Sequence, residues 1–102
     1  MALSPGKFVW HELFSSNVDK SKKFWTSLLG WESEAMTMGD DTPYLMVGPK
    51  ENMLLGVLSL DMLPDGVPPH FLGYMSVEDV DASAKAVAAN GGQIMKEGFD
   101  VP

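Results

Sequence analysis

Asn17-Val18-Asp19-Lys20-Ser21-Lys22-Lys23 returns 62 positions later as Asp79-Val80-Asp81-Ala82-Ser83-Ala84-Lys85, and this pairing decides the fold. Gly30 matches Gly92 at the same offset. Each copy follows a short apolar run, Phe8 to Phe14 in the first and His70 to Val77 in the second. One heptapeptide in common is weak evidence. Shared leading runs and a shared trailing glycine at one offset indicate a duplicated unit.

Phe8-Val9-Trp10-His11-Glu12-Leu13-Phe14 reads as a strand, rich in aromatic and β-branched residues. Asn17 is then a suitable helix N-cap, and Asp19 in the first turn complements the helix dipole. Val18, Ser21, Trp25 and Leu28 fall on one face of that helix, flanked by Phe24 and Leu29, and Gly30 stops it. Strands are expected at about 31–38, 43–48 and 53–60, with Gly39-Asp40-Asp41 and Pro49-Lys50-Glu51-Asn52 as turns. Leu63-Pro64-Asp65-Gly66-Val67-Pro68-Pro69 reads as a linker. His70 to Val77 is the next strand, and Asp79 caps a helix running to about Asn90. Gln93 to Glu97 is a candidate for one last strand. The expected class is α+β: a βαβββ module over 6–62, the linker 63–69, and an incomplete βαβ module over 70–102, all in one domain spanning 1–102.

A chain of 102 residues with 45% hydrophobic and 21% charged residues supports a modest core in a globular domain. The net charge of −7 argues against nucleic acid, whose phosphates need clustered lysine and arginine. Lys20, Lys22 and Lys23 form the one basic run, and it belongs to a helix face. Without cysteine there is no disulfide, thiolate metal site or cysteine nucleophile. No apolar stretch approaches the roughly 20 residues of a membrane span, and nothing reads as a secretory signal. No membrane partner is expected, and a cytoplasmic location is the default.

Tandem βαβββ units resemble the vicinal oxygen chelate superfamily, which includes glyoxalase I, bleomycin-resistance proteins and extradiol dioxygenases. Phe8-Val9-Trp10-His11-Glu12-Leu13, then Asn17-Val18-Asp19, Phe24-Trp25 and Leu29-Gly30-Trp31, look like the opening of its glyoxalase-like members. Pro68-Pro69-His70-Phe71-Leu72-Gly73-Tyr74, with Val77 to Val80 and Asn90-Gly91-Gly92, looks like the opening of their second module. The resemblance implies a curved mixed sheet around a pocket, with helices on the outer face. It also implies that a divalent metal, where present, is held by residues of the first and last strands of each module. Those positions fall on Trp10, on Leu72, and within Met53 to Leu60, a run without His, Asp, Glu or Gln; the fourth lies past Pro102. Trp and Leu do not ligate divalent ions, so the expectation is no metal and no other cofactor.

Alternation along the first strand puts Trp10, Glu12 and Phe14 on one face and Val9, His11 and Leu13 on the other, and the resemblance implies that the first is the pocket side and the second the helix side. His11 is accordingly expected as a hydrogen-bonded histidine under the helix. In the second copy His70, Leu72 and Tyr74 take the equivalent pocket face, with Tyr74 the repeat partner of Glu12. An acid inside an apolar strand is costly unless partnered, which singles out Glu12 as a candidate general acid or base. Trp10, Glu12, Phe14, His70, Leu72 and Tyr74 are the candidate ligand-binding residues. The leading expectation is a metal-free small-molecule-binding protein. Two alternatives are a lyase-, isomerase- or hydroxylase-like enzyme using Glu12, and a non-catalytic interaction module.

The second copy lacks counterparts of two strands of the first, and unpaired strand edges invite association. Three readings follow: part of a longer protein, a chain completed by a second copy in a homodimer or strand-exchanged oligomer, or a short protein with an open site.

Overall fold

In the computed structural model, residues 5–39 and 41–98 are described. Asp40, from the expected turn, and both chain ends lie outside them. β1 (Phe8–Ser15) leads into α1 (Val18–Leu29), followed by β2 (Glu32–Thr37), β3 (Pro43–Gly48) and β4 (Leu55–Ser59). A single 3₁₀ turn, Leu60–Met62, and the irregular segment 63–69 then lead to β5 (His70–Met75) and α2 (Val80–Ala89). The α+β class and the βαβββ-then-βα order match the sequence reading.

The five strands form one sheet in the order β2-β3-β4-β1-β5. β1 runs parallel to β4, and the other neighbours are antiparallel. The β1–β5 register pairs Trp10 with Tyr74, His11 with Gly73, and Glu12 with Leu72. The repeat offset of 62 equates His11 with Gly73 as well. The local two-fold relating the two units therefore passes between His11 and Gly73.

α1 packs across β2, β3 and β4. Val47, Leu55 and Val57 are buried beneath it, with Leu13, Val18, Trp25, Trp31 and Leu45 packed around them. Trp25 stacks on Trp31 with ring centroids 5.6 Å apart. Because α1 sits over β2–β4, its Leu28 and Phe24 remain exposed rather than joining the expected apolar face. His11 does face the helix side, but it is exposed and stacks on Phe8 at 5.9 Å rather than lying hydrogen-bonded under α1. A register shift between Phe8 and Trp10 turns the Phe8 ring over Gly73, where a Cβ would come within 3.0 Å of the ring.

The last strand expected at Gln93 to Glu97 does not form, and residues 92–98 are irregular. The reason lies in the first unit. There the strand after the helix, β2, is an edge strand whose one neighbour is β3. Among the described residues the second unit has no counterpart of β3 for residues 93–97 to bond. Instead the chain turns back, bringing Gly98 beside Val80 and Asp81 at the start of α2.

Both helices open with the same cap. Asn17 Oδ1 accepts from the Lys20 N–H, and Asp79 Oδ1 from the Ala82 N–H, each at 3.0 Å. Gly30 closes α1 with φ of 68°, a left-handed conformation that glycine adopts without a Cβ penalty. The tertiary settings differ: neither helix has a fully buried residue, but Val18 and Trp25 of α1 pack on the Val47, Leu55 and Val57 cluster, to which α2 adds no side chain. Asn17→Ala should cost about 1 kcal/mol of global stability in denaturant unfolding. Asp79→Ala should reduce the helical circular dichroism signal while leaving the cooperative transition in place. Equal losses of global stability in the two variants would contradict this division.

Candidate functional site

The face of the sheet opposite α1 carries Trp10, Glu12 and Phe14 on β1, with Tyr74, Leu72 and His70 as their respective partners on β5. All six sequence candidates share that face. Phe14 stacks on His70 with ring centroids 5.1 Å apart. The His70 Nδ1 lies 2.8 Å from the Pro68 carbonyl. A carbonyl oxygen only accepts, so this nitrogen carries the proton.

At the centre, Glu12 is a buried carboxylate, 8% exposed. Tyr44 donates its hydroxyl proton to Glu12 Oε2 at 2.7 Å, and Tyr74 donates to Oε1. The Trp10 indole N–H donates to the Tyr44 oxygen at 2.8 Å. One carboxylate thus gathers side chains from β1, β3 and β5. No side-chain nitrogen or oxygen is left buried without a partner among the described residues. This is the condition under which burying an acid is tolerable.

Tyr44 was not among the sequence candidates. It lies on β3, and β4 separates it from β1. It reaches Glu12 because the β4 residue paired with Glu12 is Gly56. A Cβ at Gly56 would sit 2.0 Å from the Tyr44 oxygen. The available signal was Gly56 itself, a glycine inside the apolar run Leu54-Leu55-Gly56-Val57-Leu58. Such a glycine marks a close approach by another group.

Burial pushes the Tyr44 and Tyr74 phenols well above their ordinary pKa, and the hydrogen bond to Glu12 pushes both further in the same direction. The Trp10 N–H acts against the shift at Tyr44. Both phenols are therefore held as proton donors. Of two hollows of about 430 and 570 Å³, the first is lined by Val18, Lys22, Met36, Tyr44, Leu45 and Val57 among others, and the second by Trp10, His11, Trp25, Trp31 and Phe71 among others. Neither is lined by Glu12, Phe14, His70, Leu72 or Tyr74. On the Glu12 face Leu72 is exposed, Trp10, His70 and Tyr74 are half-buried, and Glu12 and Phe14 are buried.

The order βαβββ followed by βα, with the two first strands side by side about a local two-fold, joins a family match covering residues 7–102. The chain belongs to the Glyoxalase/Bleomycin resistance protein/Dioxygenase superfamily. It is 30% identical over 97 residues to a protein named "Putative glyoxylase CFP32" from Mycobacterium bovis, and to its namesake from Mycobacterium tuberculosis. The match covers 95% of this chain but 36% of each relative, so the chain spans about a third of their length.

The donor set does not fit the metal centre that the superfamily resemblance implies. Trp10 and Leu72 stand at the two first-strand positions, and β4 reads Leu55-Gly56-Val57-Leu58-Ser59. Among the described residues, no group of three or more His, Cys, Asp or Glu side chains comes together. Glu12, the carboxylate on the β1–β5 part of this face, has a phenol proton on each oxygen. Among the described residues, no helix is long and apolar enough to cross a membrane.

Two outcomes follow for this glyoxalase-superfamily site. Gly56→Ala should displace the Tyr44 hydroxyl and leave Glu12 short of a partner. The expected loss is about 1–3 kcal/mol in denaturant unfolding, with a change in Trp10 emission; unchanged stability and emission would refute the close-approach account. The second outcome concerns pH. The folded protein retains phenolic protons that unfolded tyrosines release near pH ~10. The contribution of Tyr44 and Tyr74 is thus complete below that pH and is lost as the pH climbs above it. Unfolding free energy measured from pH 8 to 11 should fall at the alkaline end, less steeply when Tyr44 and Tyr74 are both replaced by Phe.

Proposed function

We propose that this chain binds a small organic molecule on the Glu12 face, and that it does so without a metal ion. The carrying observation is the convergence of a buried carboxylate, two phenols and an indole on a sheet surface that also bears Phe14, His70 and Leu72. Binding surfaces characteristically combine an apolar, aromatic floor with a few placed polar groups. Trp10, Phe14 and Leu72 supply the apolar contact. Glu12, Tyr74 and His70 supply the polar points.

Membership of the superfamily supports a small-molecule role, and the relatives' name supports glyoxalase-like chemistry in a longer protein. The alternative role for Glu12 as general base fits this geometry less well. Both carboxylate oxygens already accept phenol protons, so a substrate proton would have to displace Tyr44 or Tyr74. The arrangement favours holding a ligand over abstracting a proton from it.

The test is thermal unfolding of the 102-residue chain against a panel of small polar aromatic and carbonyl compounds, without added metal and with chelator present. A binder at 100 times its Kd adds roughly 2.7 kcal/mol of stability, enough to raise Tm by about 10 °C or more in a chain of this size. The shift should shrink in Tyr74→Phe and survive the chelator. A panel with no shifts, or shifts that appear only with a divalent ion, would count against the proposal.

A further inference from the structure

The hydrogen-bond directions on the Glu12 face select the chemistry of its ligand. The Trp10 N–H is spent on Tyr44, and the Tyr44 and Tyr74 hydroxyl protons are both spent on Glu12. The His70 Nδ1–H is spent on the Pro68 carbonyl. What remains are acceptors. Tyr74 Oη donates to Glu12 and accepts from no group among the described residues, so its lone pairs are open. In the neutral ring His70 Nε2 is an acceptor, because Nδ1 holds the proton. Each Glu12 oxygen receives one phenol and keeps further accepting capacity.

Charge points the same way. None of the five strands contains a lysine, and the chain has no arginine at all. Across the sheet, the row containing Glu12 runs through Gly56 and Met46 to Glu34, and Glu32 lies two residues along the same face of β2. The formal charges carried by this face are therefore all negative. Trp10, Phe14 and the tyrosine rings add π-faces, which attract cations and repel anions.

Resting on the reading of this face as a ligand site, we infer that its ligand is a small organic cation: an ammonium group on an aromatic or apolar body. The ammonium donates to Tyr74 Oη, one hydrogen bond away from the Glu12 carboxylate, while the body lies against Leu72 and the Phe14–His70 stack. A carboxylate or phosphate finds no free donor there and meets Glu12, so it is turned away.

Three matched probes separate this inference from the reading beneath it. Calorimetric titration of the full 102-residue chain uses 2-phenylethylammonium, 2-phenylethanol and 3-phenylpropanoate at pH 7. The ammonium should bind about tenfold or more tightly than the alcohol, and the carboxylate should give no binding heat. In Glu12→Gln the ratio of ammonium to alcohol affinity should fall to about one. Circular dichroism checks that the variant folds; if it does not, the ratio in the unaltered chain decides. Carboxylate binding as tight as that of the ammonium would overturn the cation assignment and leave the ligand-site reading standing. An alcohol equal to the ammonium would do the same. Silence from all three probes would remove both.

Discussion

The structure turns on a negative charge placed where water does not reach it well. A carboxylate in an apolar sheet costs several kcal/mol unless its oxygens are met by donors. Glu12 is met by two, one from each side of its strand. Tyr44 comes from the first unit and Tyr74 from the second, so the requirement of one side chain fastens the two units to each other. The sheet register carries the backbone across the same junction. The Tyr44 contact in turn depends on Gly56, whose bare backbone leaves the path along which Tyr44 reaches the acid.

The two units share a plan and differ in what they have to pack against. In the first, three strands follow the helix, and α1 covers Val47, Leu55 and Val57. In the second, the helix forms with the same cap chemistry but adds no side chain to that cluster. Local capping is thus enough to define where a helix begins, and tertiary burial decides how much that helix contributes to stability. The same contrast explains residues 93–97. Their sequence suits a strand, but a strand needs a neighbour to receive its hydrogen bonds.

Much of the fold was legible because it rests on local patterns. The repeat gave the two-unit plan, Asn17 and Asp79 the helix starts, Gly30 one helix end, and alternation the face shared by Trp10, Glu12 and Phe14. The register went further than the sequence could: it set Tyr74 across from Trp10 and placed its hydroxyl on Glu12. What the sequence hid were contacts between strands far apart in the chain. Tyr44 lies 32 residues from Glu12 and has no repeat partner to announce it. His11 fell on the expected face, but whether α1 reached over it depended on the position of the helix above the sheet. Leu28 was misplaced for the same reason.

The local two-fold between His11 and Gly73 carries a consequence of its own. It makes Glu12 and Tyr74 symmetry mates that touch, an acid and its donor at equivalent stations. Two identical chains meeting about a true two-fold could not arrange this. They would set acid against acid, or phenol against phenol with no carboxylate between them. Duplication within one polypeptide frees the two stations to diverge, so at the axis the contact between the repeats depends on their being unlike.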